Sequence, residues 1–160
     1  MKKLKTLIGK TVLLSVFFCL LFCFVVFPYR MTGNNMFPSV KDGDFCLFLK
    51  VGSPHVGDVV LFVSAQGKKV GRIRAKGGQT VEFDEEDGCL IDGYVQAEEL
   101  SFETLLPEET DIDFPLMLRD DEVFILNDYR PDIADSRMSG AVRREDVCGV
   151  LIFILRRRGF

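Results

Sequence analysis

Side chains able to do chemistry gather in two stretches of this sequence. The early one is Gly33-Asn34-Asn35-Met36-Phe37-Pro38-Ser39-Val40-Lys41-Asp42-Gly43-Asp44. The late one is Asn127-Asp128-Tyr129-Arg130, then Asp135-Ser136-Arg137 and Gly140-Ala141-Val142. Between them lie Gly57-Asp58-Val59-Val60-Leu61-Phe62, Val70-Gly71-Arg72-Ile73 and Gly78-Gln79-Thr80-Val81. A nucleophile at neutral pH needs an activating base within hydrogen-bond reach. The only histidine, His55, sits in a turn-like Gly52-Ser53-Pro54-His55, so a histidine triad or a zinc site would have to be built on that one residue. Both are set aside. No CxxC or Cys/His spacing suggests a metal, and no cofactor is expected. By themselves, Asp135 and Arg137 read as a local ion pair.

These residues must be positioned by short strands. Phe45–Lys50, Val59–Val63, Val70–Arg74, Thr80–Phe83, Cys89–Ile91, Val123–Leu126 and Val147–Leu155 are rich in β-branched and aromatic residues. Turn signals separate them at Asp42-Gly43, Gly57-Asp58, Gly77-Gly78, Asp87-Gly88 and Asp92-Gly93. The acidic stretch Glu98–Asp113 reads as a loop or a short helix. The expected exported domain is all-β, a barrel or a sandwich, over residues 31–160.

Ahead of it, Thr11 to Phe27 is apolar except for Thr11 and Ser15. Such a run is long enough for a bilayer core as one helix, and it exceeds the apolar core of a cleaved leader. Residues 11–29 are therefore expected to form a transmembrane signal anchor behind a basic cytoplasmic segment, 1–10. Lys2, Lys3, Lys5 and Lys10 place the N-terminus inside and the domain on the extracytoplasmic face, with Tyr29 and Arg30 at the outer interface.

The net charge of −4 divides into +5 over residues 1–30 and −9 over the rest. An acidic domain is a poor nucleic-acid binder, and no nucleic-acid partner is expected. Of the five cysteines, Cys46, Cys89 and Cys148 lie outside the anchor, an odd number. Buried thiols suit the apolar runs around Cys46 and Cys148.

The ordered blocks resemble the signal peptidase I family, membrane-bound serine peptidases that trim exported proteins. The first looks like G-x-S-M-x-P-T-L-x-x-G-D, the second like G-D-[IV]-V-x-F followed by V-K-R-[VI]-x-G-x-P-G-D-x-V, and the third like G-D-N-R-x-x-S-x-D-S-R-x-x-G-x-V. Asp87-Gly88-Cys89-Leu90-Ile91-Asp92-Gly93 is similar to the family's hairpin ending in N-G. The resemblance spans Gly33 to Val142. It implies a serine nucleophile activated by a buried neutral lysine, with backbone N–H groups stabilising the oxyanion. Here the nucleophile position is Asn35, the base position Gly71 and an accessory hydroxyl position Ile133. Arg72, Asp128, Arg130, Asp135, Ser136 and Arg137 match the structural motif. A carboxamide is not a usable nucleophile and glycine offers no base, so the chain is expected not to cut peptides.

The alternative is a relocated pair. Lys69 shares the strand face of Gly71, and Ser39 follows Asn35 by four positions, but their convergence would require the intervening loop to rebuild. The resemblance to non-catalytic Gram-positive members implies an assembly factor working with pilin subunits or a sortase. A partner segment is then expected as an extended strand in a groove of Gly33, Met36, Phe37, Pro38, Val70 and Ile73, with space opened at Gly71. A further alternative is a structural subunit of a membrane complex, acting through another surface.

Overall fold

The computed structural model describes residues 2–84, 88–95, 102–104, 106–107 and 109–156. Expectations resting on Asp87, Glu98, Arg157 and Arg158 lie outside these residues.

Helix α1 runs from Lys2 to Val25. Its segment Leu7–Val25 is long and apolar enough to cross a membrane. The chain then changes conformation within the expected anchor. Val26–Arg30 is strand β1, paired antiparallel with β2, Phe45–Leu49. The helix therefore ends at Val25 rather than at residue 29, and Tyr29 and Arg30 belong to the sheet. Composition could not reveal this, because Val-Phe-Pro-Tyr continues the apolar run in either conformation.

Strand β3 is Val59–Ser64, β4 Gly67–Lys76, β5 Thr80–Asp84, β6 Gly88–Ile91, β7 Tyr94–Val95, β8 Leu116–Met117 and β9 Glu122–Leu126. A short helix α2, Ser136–Ser139, precedes β10, Val142–Arg143, and β11, Val147–Leu155. The strands form a seven-stranded sheet in the order β1-β2-β11-β3-β4-β9-β10 and a four-stranded sheet in the order β7-β6-β5-β8. The chain beyond α1 is mainly β, as the sequence implies.

One core lies inside the curl of the larger sheet, where Met31, Met36, Val40, Cys46, Phe48, Leu61 and Val70 pack. A second joins the sheets through Ala75, Phe124 and Leu126 against Val81, Cys89, Ile91 and Leu118. Among the described residues every cysteine is a free thiol. Burial, and secondarily the charge of Asp44, pushes the Cys46 thiol up to about 11, so it stays protonated.

The curl sets up the site. Strand β4 pairs with β3 along Gly67–Arg72, but β9 covers it only from Arg72 to Lys76. The far edge of Gly67–Gly71 therefore has no strand beside it among the described residues. Strand β1 approaches this edge across a gap. The Tyr29 hydroxyl donates to the Lys68 carbonyl at 3.4 Å, and the Lys68 ammonium lies 4.0 Å from the Phe27 ring centroid.

Candidate peptide site beside strand β4

The third block is a knot of satisfied buried charge. Asp135 caps α2 by accepting from the Arg137 amide at 3.0 Å. Its carboxylate also takes the Asn127 amide at 3.0 Å and both Nε and Nη2 of Arg137 at 2.9 and 2.8 Å. Arg137 Nη2 reaches the carbonyls of Arg130 and Asp132 as well. Arg130 donates to the Thr104 hydroxyl and to the Asn127 carbonyl. The Ser136 hydroxyl accepts the amide of Ile125. Arg130, Asp135, Ser136 and Arg137 are all buried. This network holds the loop after β9 in one shape.

That loop positions Asn35. The Tyr129 amide donates to the Asn35 carbonyl at 2.9 Å. Asn35 Nδ2 donates to the Val70 carbonyl and to Asn127 Oδ1, both at 2.9 Å. Nearby, Arg72 grips Asp128 with two bonds, Nε to Oδ1 at 2.7 Å and Nη2 to Oδ2 at 2.6 Å. Arg72 also reaches the Gly57 carbonyl and Ser39 Oγ.

A cavity of about 340 Å³ opens above Asn35. Its lining includes Tyr29, Gly33, Gln66, Lys69, Val70 and Asn127. A second cavity of about 280 Å³ lies beside it, against Phe62 and Met138. Lys69, Gln66 and Ala134 line both.

Several expectations need correction. Gly33 and Val70 do line the larger cavity. Met36 and Ile73 do not reach it. Both are fully buried core side chains, because alternate positions of a strand and the first turn beyond Gly33 face inward. Phe37 and Pro38 are exposed outside the cavity lining. Gly71 leaves no opening: a Cβ placed there would lie 2.4 Å from Ile125 Cγ2 and 3.3 Å from Phe62 Cε1. The neighbouring strand has filled the space of the missing side chain. Ile133 is 42 % exposed and lines neither cavity. Ser39 and Lys69 are not brought together as a relocated pair. Ser39 is tied to Arg72, whereas the Lys69 ammonium donates to the Ala134 carbonyl at 3.2 Å.

Sequence reasoning missed Tyr29, Gln66 and Asn127 as site residues. Tyr29 was masked by the apolar run, and Gln66 lies in a hairpin with no motif. Asn127 occupies a position where the family pattern carries glycine, so its pairing with Asn35 had no precedent to signal it.

The sequence matches the signal peptidase, peptidase S26 family over residues 4–156. The chain therefore belongs to the signal peptidase I family. It is 28 % identical over 145 residues to a probable signal peptidase I-1 of Synechocystis, covering 81 % of this chain and 71 % of that protein. It is 27 % identical over 160 residues to signal peptidase I T of Bacillus subtilis, covering 91 % of this chain and 82 % of that one. The crystal structure of a signal peptidase I from Enterococcus faecalis V583 superposes with a TM-score of 0.53 at 25 % identity, over 64 % of this chain and 99 % of that one. These findings overturn the expectation that the chain is not an enzyme: every relative named here is a signal peptidase, and the family is one of peptidases. In this chain the site holds an Asn35 amide bonded to β4 beside a closed Gly71 position.

Proposed function

We propose that this protein receives an extended segment of an exported polypeptide along the open half of β4, at the outer membrane face. The observation that carries this reading is the strand edge at Gly67–Gly71, which lacks a neighbouring strand and borders the larger cavity. An unpaired edge is a ready template for a peptide strand, whose main chain supplies affinity while side-chain pockets supply selectivity. The carbonyls of Lys68 and Val70 point into the gap, as their bonds to Tyr29 and Asn35 require. Each carbonyl oxygen can accept a second hydrogen bond from an incoming peptide.

Placement at the membrane is supported by α1 running directly into β1. The Lys50 ammonium donates to the Cys23 carbonyl at 2.8 Å, tying β2 to the end of the helix. Along β2 and β11, leading away from that junction, Phe45, Phe153 and Leu155 are exposed. With the basic N-terminus inside, this face rests on the outer leaflet and the site meets polypeptides leaving the bilayer. The partners proposed for it are pilin subunits and a sortase.

A photocrosslinker at Gln66 in the full chain, reconstituted in nanodiscs with an exported pilin precursor and sortase, tests this reading. Crosslinks from Gln66 should map to an extended segment of the partner. A crosslinker at the exposed Met117 on β8 serves as reference. Capture from Met117 alone, or from neither position, rejects the site. Cleavage of a signal-peptide substrate is scored in the same mixtures, so capture and hydrolysis are read separately.

A further inference from the structure

Lys69 stands apart from the other cations of this region. Arg72 is paired with Asp128 and Arg137 with Asp135. Arg130 is buried against Thr104 and the Asn127 carbonyl. The Lys68 ammonium covers the Phe27 ring. The Lys69 ammonium has a single described partner, the neutral carbonyl of Ala134 at 3.2 Å, and makes no ion pair with a described carboxylate. An ammonium carries three donors. The acids that line the two cavities are engaged elsewhere. Asp132 Oδ1 holds the Ala134 amide at 3.0 Å, and Asp135 holds Arg137.

Its position is equally particular. Lys69 lines both cavities, and its bond to Ala134 stretches across their shared wall. It also sits in the middle of the open edge, Gly67–Gly71. A peptide strand added there would set one side chain directly opposite Lys69, with Cβ atoms about 4.5–5.5 Å apart.

We infer that Lys69 is a specificity-determining residue that selects a peptide carrying an aspartate or glutamate opposite it on the β4 edge. The inference rests on the peptide-site reading above. The peptide carboxylate draws the ammonium off the Ala134 carbonyl and gives it an ion pair that none of the described carboxylates supplies. This motion also removes the bridge between the two cavities, so the acidic side chain and its neighbours share one continuous groove. Residues 31–160 carry a net charge of −9. A lone acceptor site for acidic peptides therefore acts at short range, against a repulsive background that salt screens over about 10 Å at 0.1 M.

The test uses the full chain in phosphatidylcholine nanodiscs and fluorescent nonapeptides of alternating alanine and threonine. A single glutamate is moved through each position, and every peptide has a glutamine counterpart. Glutamate at one register position should bind about 1.4- to fivefold more tightly than glutamine, the range expected for a cross-strand ion pair. K69M should bring the two peptides to equal affinity, and K69E should prefer a lysine peptide at that same position. K76M, which removes a charge from the far end of β4, should leave the glutamate preference intact. Raising the salt to 0.5 M should shrink the preference in the wild-type protein, a readout that needs no substitution. A glutamate preference that survives in K69M, or no preference in the wild type, overturns the role of Lys69 while leaving the peptide site standing. If no peptide of either charge binds, the site itself is rejected and this inference with it.

Discussion

Strand β4 passes two polar family positions that have met opposite fates. At Gly71 the long side chain of the family pattern is absent, and Ile125 and Phe62 close over the backbone. Around Arg130–Arg137 the hydroxyl position has become Ile133, but the charged residues of the pattern are kept and each buried one has partners. The contrast follows from how each position is held. A single side chain that projects toward a cavity can be removed, because its apolar neighbours repack over the space. Members of a buried ionic network cannot be removed singly, because each leaves an unpaired charge behind. The site has been remodelled where change is cheap and kept where it is expensive.

The largest expected effect comes from breaking the network. Asp135→Ala strands Arg137 and exposes the Asn127 amide to an apolar neighbour. It should cost about 3–5 kcal/mol and lower the Tm of the full chain by roughly 6–20 °C. A Tm within a degree or two of wild type would mean that Asp135 is not a keystone, and the contrast with Gly71 would collapse.

Next comes the closed position. Gly71→Ala should destabilise by about 1–3 kcal/mol through overpacking against Ile125. The same change in an Ile125→Ala background should cost less, and a double-mutant cycle reads the coupling. Additive effects would show that the close contact is relieved elsewhere. The opening first expected at Gly71 would then have to be reconsidered.

Arg72→Ala tests the border between the two regions. Asp128 is fully buried, but Arg72 is partly open to water at 23 % side-chain exposure. The cost should fall below that of Asp135→Ala, at about 1.5–3 kcal/mol, measured by denaturant unfolding in detergent. An effect equal to that of Asp135→Ala would extend the network to include Arg72.

The smallest effect is a fully exposed counterpart. Asp92 accepts the Thr80 amide at 2.8 Å and Gln79 Nε2 at 3.0 Å. The Thr80 bond first, then Gln79, holds its carboxyl below the ordinary range. Because the folded pKa is depressed, the stabilisation is complete above the unfolded value near ~3.9 and is lost as pH falls through the folded pKa. Asp92→Asn should therefore shift the Tm slightly at pH 6, and the difference from wild type should vanish toward pH 2. A difference that persists at pH 2 would mean that Asp92 acts through turn geometry, at its φ of 55°, rather than through charge.

Seven strands were legible in the sequence because short runs of β-branched, aromatic and other apolar residues are set off by polar stretches and, for most of them, by a glycine turn. Val59–Ser64 and Val147–Leu155 differ from expectation by a residue or not at all. The ion pair of Asp135 with Arg137 was legible for a related reason: residues two apart at a helix cap have few other partners within reach. Strand β1 was not legible, since hydropathy cannot separate the end of a membrane helix from an apolar edge strand. The state of Gly71 was decided by a residue 54 positions away, Ile125, brought alongside only by the pairing of β4 with β9. Lys69 and Gln66 likewise became site residues only when the curl of the sheet carried β1 toward the open half of β4. Local sequence specified the elements, their turns and the family's ionic scaffold, because those depend on neighbours within a few residues. Which side chains face a cavity, and which positions are closed, depended on sheet register and curvature, which no local window contains.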